Sequence, residues 1–259
     1  MIDFKSKDRF SNRADAYVRH RPSYPQSLVD SLIQKLPDST AEPLSVADIG
    51  SGTGIFSKLL LENGFTVYGV EPNAPMRQRA EEMLSVYPGF HSVNGEATRT
   101  TLQDHSMDVV VAAQAFHWFA TAGTVNEFNR ILKNPGIVLL MWNDRRTNVD
   151  TFHSEYEALL VRYCLNYLEV NHRNITSSKI GTLFSGWTLS VEHFANDQLL
   201  DFDGLKGRLE SSSYCPPNDH PKYRPLLDSL RQLLKGHYGE GNVRLQQDCV
   251  VYFLVPPGR

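Results

Sequence analysis

The chain has little cysteine, no long apolar run and no strong charge of either sign, and each shortage removes a class of function. Its three cysteines, Cys164, Cys215 and Cys249, lie far apart, with no CxxC pair and no Cys/His cluster at metal spacing. Reduced, mostly buried thiols are expected, and no metal site. The formal charge of −3 over 259 residues supplies no broad field for drawing in nucleic acid or an anionic membrane. Apolar runs such as Ile137–Trp142 have the length of buried strands, and Met1 to His20 is too polar for a secretory or membrane segment. Neither an internal repeat nor a low-complexity stretch is present. The expectation is a cytoplasmic protein, monomer or homodimer, with no nucleic-acid and no membrane partner.

What is present is a core-forming composition, 41% hydrophobic and 21% charged, on a length that fits one large α/β domain, with or without a cap. Helical spacing of apolar residues predicts a helix between Ser23 and Leu36, entered near Pro25. Leu44–Ile49 and Phe65–Val70 read as strands around a helix over Ile55–Leu61, which Asn63-Gly64 stops. A helix over Pro72–Tyr87, strands at Phe90–Val93 and Met107–Ala113, a helix over Ala122–Leu132 and a fifth strand at Ile137–Trp142 follow. This alternation predicts a parallel sheet covered by helices on both faces. Beyond Asn143 the spacing predicts a long helix over Thr151–Glu169, a strand at Trp187–Phe194, a helix over Pro221–Leu234 and a last strand at Val250–Val255. The chain is divided as one domain: an N-terminal helical cap (1–40), a core (41–143), an insertion or lid carrying strand six (144–218) and a C-terminal helix and strand (219–259).

Gly50-Ser51-Gly52-Thr53-Gly54 falls between the first strand and its helix. Glycines there allow a sharp turn and close approach of a ligand to backbone, at the sheet edge where open α/β folds bind ligands. A dinucleotide fingerprint needs its third glycine at position 55, which is Ile55, and a P-loop needs Gly-Lys-Ser/Thr, which is absent. Glu71 ends the second strand. A carboxylate there accepts hydrogen bonds from ribose hydroxyls and repels a 2′-phosphate. An adenosine with free ribose hydroxyls is favoured.

Val46–Gly54, Val67-Tyr-Gly-Val-Glu-Pro72, Asn94-Gly-Glu-Ala97, Asp108–Phe119 and Leu132-Lys-Asn-Pro-Gly136, in this order, resemble the Rossmann-like (class I) S-adenosylmethionine-dependent methyltransferases. Arg21–Pro25 and His117-Trp118 are similar to features of the small-molecule branch that includes trans-aconitate methyltransferases, and Ser211–Tyr214 also resembles a family feature. The resemblance covers residues 10–142 best. It implies a mostly parallel seven-stranded sheet with helices on both faces, an antiparallel last strand and a helical cap. It implies S-adenosylmethionine as methyl donor, S-adenosylhomocysteine as product and a small-molecule acceptor, with a carboxylate as the expected class.

The resemblance also implies roles. Gly50, Ser51, Gly52, Thr53 and Gly54 would approach the methionine part of the cofactor, and Asp48 would orient its ammonium. Glu71 would hold the ribose. Pro72 and Met76 would pack on adenine, whose edge Glu96 and Ala97 would read, and Gln114, Ala115 and Phe116 would line the cofactor. Many relatives carry Asp where this chain has Glu96. Tyr17, Arg21, His117, Trp118, Arg145 and Tyr214 are the acceptor-pocket candidates, with His117 as candidate base. Plainer readings stand beside these. Asp48 can cap a turn, Met76 can be core, His117 and Trp118 can be an aromatic cluster, Arg145 a solvated charge, and Ser211–Tyr214 a turn.

Competing functions are a catalytically silent S-adenosylmethionine-binding regulator, a nicotinamide oxidoreductase and a nucleic-acid methyltransferase. Ile55 opposes the second. The third is opposed by the net charge and by Gln114-Ala-Phe-His117, where Asn/Asp-Pro-Pro-Tyr would be required.

Overall fold

The computed structural model describes residues 20–37 and 42–258; the expectation for Tyr17 lies outside the described residues. Strand β1 (Ser45–Ile49) lies between β2 (Thr66–Val70) and β4 (Met107–Ala113), parallel to both. β3 (Phe90–Val93) extends the sheet past β2, and β5 (Leu132–Arg145) past β4, again in parallel. The seventh strand, β9 (Gln247–Val255), runs antiparallel between β5 and β6 (Thr188–Ala195). The order β3-β2-β1-β4-β5-β9-β6 reverses direction at β1, so the switch point lies between the ends of β1 and β4. The expected fold, seven strands with the last antiparallel, is the one observed.

Alternation within the strands explains why both faces are covered. Val46, Val67, Val109, Leu139 and Phe253 point to one face. They pack there with Leu28 and Leu32 of α1 (Gln26–Lys35) and with Phe56 and Leu60 of α2 (Ile55–Glu62). Ala47, Ile49, Val110, Val138 and Leu140 point to the other face. Phe128 and Ile131 of α4 (Ala122–Ile131), and Ile180 of α6 (Ser177–Leu183), cover them. Helix α3 (Ala74–Leu84) precedes β3, with the Asn73 side chain accepting the Met76 amide at its start.

The helix expected over Thr151–Glu169 is shorter. Helix α5 (Thr151–Tyr163) ends where Cys164 turns extended, and the Leu165 amide pairs with the Tyr214 carbonyl instead. Fifth-strand pairing runs beyond Trp142, because Asn143, Asp144 and Arg145 continue the register with Cys249, Asp248 and Gln247. A third apolar cluster joins α5 to α7 (Phe202–Glu210) and α8 (Tyr223–Tyr238) through Phe152, Tyr156, Leu160, Leu205, Leu226 and Leu230. A small ribbon of β7 (Gln198–Leu200) and β8 (Val243–Leu245) closes that unit. All three cysteines are buried. Among the described residues no helix is long and apolar enough to cross a membrane.

Candidate active site

The turn after β1 takes three left-handed residues, Gly50, Gly52 and Gly54, with φ of 70°, 57° and 82°. L side chains disfavour that region. Two of the glycines also answer to neighbours. A Cβ on Gly50 would lie 2.8 Å from the Ala115 Cβ, and one on Gly54 would lie 2.7 Å from Leu84. Among the described residues nothing lies within 4 Å of a Cβ built on Gly52. The turn thus presents open backbone at Gly52 and packed backbone on either side. It is tied to the end of β2, because the Gly50 and Ser51 amides donate to the Val70 carbonyl at 2.8 and 3.3 Å.

Two buried carboxylates flank this turn. Asp48 is 1% exposed; one oxygen accepts the Ser57 hydroxyl at 2.7 Å and the other, Oδ1, meets no donor among the described residues. Burial pushes its acid up to about 7; the Ser57 hydrogen bond opposes this and the nearby Glu71 adds to it. Glu71 accepts the Gly52 amide at 2.9 Å and the Asn73 amide at 2.8 Å. Burial raises its acid as well, against those two bonds and Arg77. Each oxygen keeps a second lone pair, so both amides can stay bound while a ligand hydroxyl is accepted. Thr53 is fully buried and its hydroxyl oxygen is likewise unpartnered.

The remaining cofactor candidates divide. Met76 and Ala97 are buried, Ala97 in the same apolar cluster as Val70, while Glu96 is exposed and its amide donates to the Arg99 carbonyl. Pro72 is partly exposed, between Glu71 and the start of α3. Gln114 adopts a left-handed φ of 57° after β4, a costly placement that tends to occur at functional sites. Phe116 needs correction as a lining residue. It is fully buried and packs against Phe119, Phe128 and Phe184, because the short turn Phe116–Trp118 directs its ring into the core.

Two cavities meet here. The first, about 440 Å³ including its open mouth, is bounded by Asp48, Gly50, Ser51, Gly52, Tyr24 and Gln114. The second, about 710 Å³ on the same measure, contains His117, Trp118, Arg145, His172, Arg208 and Tyr214. Arg21, Gln114 and Asn143 line both. The segment from Arg21 to Tyr24 is held against them: Arg21 lines both cavities, and Pro22 and Tyr24 line the first. Asn143 and Asn196 donate to the Ser23 carbonyl, the Arg21 guanidinium donates to the Ser211 carbonyl at 3.1 Å, and Tyr24 sits edge-on to Phe56.

His117 differs from the candidate base expected of it. The Trp142 indole N–H donates to its Nδ1 at 3.3 Å. Burial, followed by the charges of His172 and Arg21, lowers its acid to about 3. The ring is therefore neutral, with its proton on Nε2. Arg145 is not a solvated charge: it bonds Glu157 at 2.9 Å and the Tyr167 hydroxyl at 2.7 Å, and lies over the Tyr156 ring. Tyr214 sits edge-on to Tyr167, 4.9 Å between ring centres. Sequence reasoning missed Asn143, His172 and Arg208. Asn143 alone carried a signal, as the residue following the predicted fifth strand. Among the described residues no group of three or more His, Cys, Asp or Glu side chains could hold a metal ion.

A family described as a methyltransferase domain matches residues 47–140, which span the turn, Glu71 and the exit of β4. An uncharacterised methyltransferase of Mycobacterium tuberculosis (strain ATCC 25618 / H37Rv) is 35% identical over 228 residues, 88% of this chain and 86% of the relative. An uncharacterised methyltransferase-like protein of Schizosaccharomyces pombe is 30% identical over 150 residues, 57% of this chain and 55% of its own. Among solved structures, one from Anaeromyxobacter dehalogenans, whose description proposes a type II methyltransferase, superposes with a TM-score of 0.63 at 22% identity. It covers 92% of this chain and 97% of its own. A phosphoethanolamine N-methyltransferase 2 of Haemonchus contortus, bound to phosphomonomethylethanolamine and S-adenosylhomocysteine, gives 0.57 at 14% identity. That match covers 100% of this chain and 60% of the other.

Proposed function

The chain belongs to the methyltransferase family, and from that premise we propose that it transfers a methyl group from S-adenosylmethionine to a small-molecule acceptor, with a carboxylate as the acceptor group. The observation that carries the cofactor reading is Asp48 Oδ1, a buried carboxylate oxygen with no donor, beside the open backbone of Gly52. An unpartnered buried acceptor is costly, and the ammonium of a methionine moiety would satisfy it. In this reading Glu71 receives the ribose hydroxyls, and Met76 and Ala97 meet adenine.

When bound, S-adenosylmethionine supplies a methyl carbon made electrophilic by its sulfonium; the acceptor lone pair forms the new bond while sulfur keeps the pair of the broken one, leaving S-adenosylhomocysteine. The residues of this chain bind, orient and exclude water. Arg21 lines both cavities, and Pro22 and Tyr24 line the first. Gln114, shared by both, stands at their junction. A carboxylate acceptor needs no base, and the neutral His117, its Nδ1 already occupied, is suited to donate from Nε2 and not to accept a proton.

Calorimetry with S-adenosylmethionine and S-adenosylhomocysteine tests the cofactor reading. Binding is expected, and Glu71→Gln should weaken it by about tenfold or more. Unchanged affinity in that variant would remove the ribose assignment. Transfer of label from methyl-labelled donor into the small-molecule fraction of a metabolite extract tests the reaction. Binding with no labelled product from any extract would favour the silent regulator instead.

A further inference from the structure

Four arginines face the larger cavity, and their partners differ. Arg145 is matched by Glu157 at 2.9 Å, and Arg173 by Asp144 at 2.8 Å. Arg21 gives its Nη2 to the Ser211 carbonyl and the Ser212 hydroxyl. Arg208, on the last turn of α7, is only 7% exposed, yet has no carboxylate partner among the described residues. Its Nη2 donates to Gln247 Oε1 at 3.1 Å, while Nε and Nη1 meet no acceptor among the described residues. A guanidinium carries five N–H donors, one on Nε and two on each Nη. Three of the five are thus buried and unsatisfied. Leaving a buried cation unpaired is among the costliest arrangements a fold can hold.

The surroundings keep that cation in place. Gln247 holds one nitrogen, and the Ser211 and Ser212 hydroxyls bond the Arg208 carbonyl at 2.7 and 3.2 Å. Gly207 has no side chain, and a Cβ there would clash with the His20 ring. That gap lets the chain carrying Arg21 lie directly against α7. Burial, and then the charge of Arg21, hold the Arg208 guanidinium below its ordinary value. Two like charges are therefore drawn together around one cavity.

We propose that Arg208, assisted by Arg21, is the receptor for an oxyanion of the acceptor, one that anchors the molecule and is not itself methylated. This rests on the methyl-transfer reading for its context. The anchored group is distinct from the reacting one because lone pairs shared with guanidinium N–H groups are poorer nucleophiles. The acceptor is then at least bifunctional: one oxyanion on Arg208, and a second group, free to attack, near Gln114. Carboxylates and phosphate monoesters share the chemistry that Arg208 would recognise. A neutral or cationic acceptor would leave its N–H groups unpaired.

The test uses the full chain saturated with S-adenosylhomocysteine, titrated calorimetrically with glutarate, citrate, phenyl phosphate and the neutral glutaramide. At least one oxyanion should bind and glutaramide should not; whether the carboxylates or the phosphate bind identifies the source of the oxyanion. Arg208→Met should weaken that binding by about thirtyfold or more, with affinity for S-adenosylhomocysteine unchanged and Arg208→Lys intermediate. The ligand-free Arg208→Met protein should melt no lower than the parent, because the substitution removes an unpaired buried charge. Equal oxyanion binding by parent and Arg208→Met overturns the proposal. So does the absence of binding by every oxyanion, or a drop in melting temperature with loss of cofactor binding, which marks a structural arginine. Repeating the titrations without S-adenosylhomocysteine separates the two readings. Arg208-dependent oxyanion binding can persist there even if the cofactor assignment fails.

Discussion

The Trp142 indole N–H donates to Nδ1 of His117 at 3.3 Å, and this contact decides what the histidine can do. An imidazole that accepts at Nδ1 and is neutral carries its proton on Nε2. His117, with its acid lowered to about 3, should stay neutral throughout the physiological range. Ring-nitrogen NMR of the labelled protein should show no titration of His117 between about pH 5 and pH 8. The pH profile of methyl transfer should have no limb that His117→Asn removes. A midpoint near 6.5 for this ring would restore it as a base.

Asp48 gives a prediction with the opposite ionisation. Its carboxyl titrates near 3.8 when unperturbed and near 7 in the fold, so folding favours the neutral form. The stability this contributes is complete below the unfolded value and is lost as pH rises through 7. Asp48→Asn mimics the neutral acid and can still accept the Ser57 hydroxyl. The gain in stability from this variant should be absent near pH 3, grow as pH rises, and level off above 7 at on the order of a few kcal/mol. Chemical denaturation across that range measures it. The variant should also lose most affinity for S-adenosylmethionine. A uniform loss of stability at every pH would show that the carboxylate is structural.

Much of the fold was legible because a parallel sheet buries both faces of its strands, so Ser45–Ile49 and Met107–Ala113 stand out as short apolar runs. Asp48 and Glu71 were legible because adjacent strand ends place them together. The cap was not. Helix α7 carries Gly204 and Gly207 within nine residues, which breaks the periodic signal, and its partner α8 is distant in sequence. Arg208 becomes conspicuous only when its neighbours are known, since nothing local distinguishes it from a solvated arginine. Phe116 misled because the residues after β4 share one loop, yet a single short turn sends its ring inward.

The turn glycines should separate under substitution. Gly50→Ala adds a left-handed Cβ 2.8 Å from the Ala115 Cβ and 3.2 Å from the Phe119 ring. Strain and overpacking together should cost about 2–4 kcal/mol. Gly52→Ala meets nothing within 4 Å among the described residues, so it should cost only about 1 kcal/mol for its φ. The same methyl would occupy the space over the turn where the cofactor is proposed. Gly52→Ala should therefore fold well but bind S-adenosylhomocysteine poorly. Melting curves with calorimetry distinguish the two, and a Gly52→Ala protein that binds normally would move the cofactor off this turn.

Arg145 and Arg208 line one cavity, and their substitutions should behave in opposite ways. The Arg145 guanidinium is committed to Glu157 and Tyr167, with 13% of its side chain and 22% of the glutamate's exposed. Removing it strands a mostly buried carboxylate, so Arg145→Met should lower stability by about 2–4 kcal/mol, less than a fully buried pair would lose because the glutamate keeps some water. The double variant Arg145→Met with Glu157→Gln should recover a large part of that loss, since no charge is left without its partner. Arg208 has no such partner to strand. Arg208→Met should preserve stability and cost oxyanion affinity, whereas Arg145→Met should cost stability first. Arg145→Met that keeps full stability and loses only oxyanion binding would reassign the acceptor contact to Arg145.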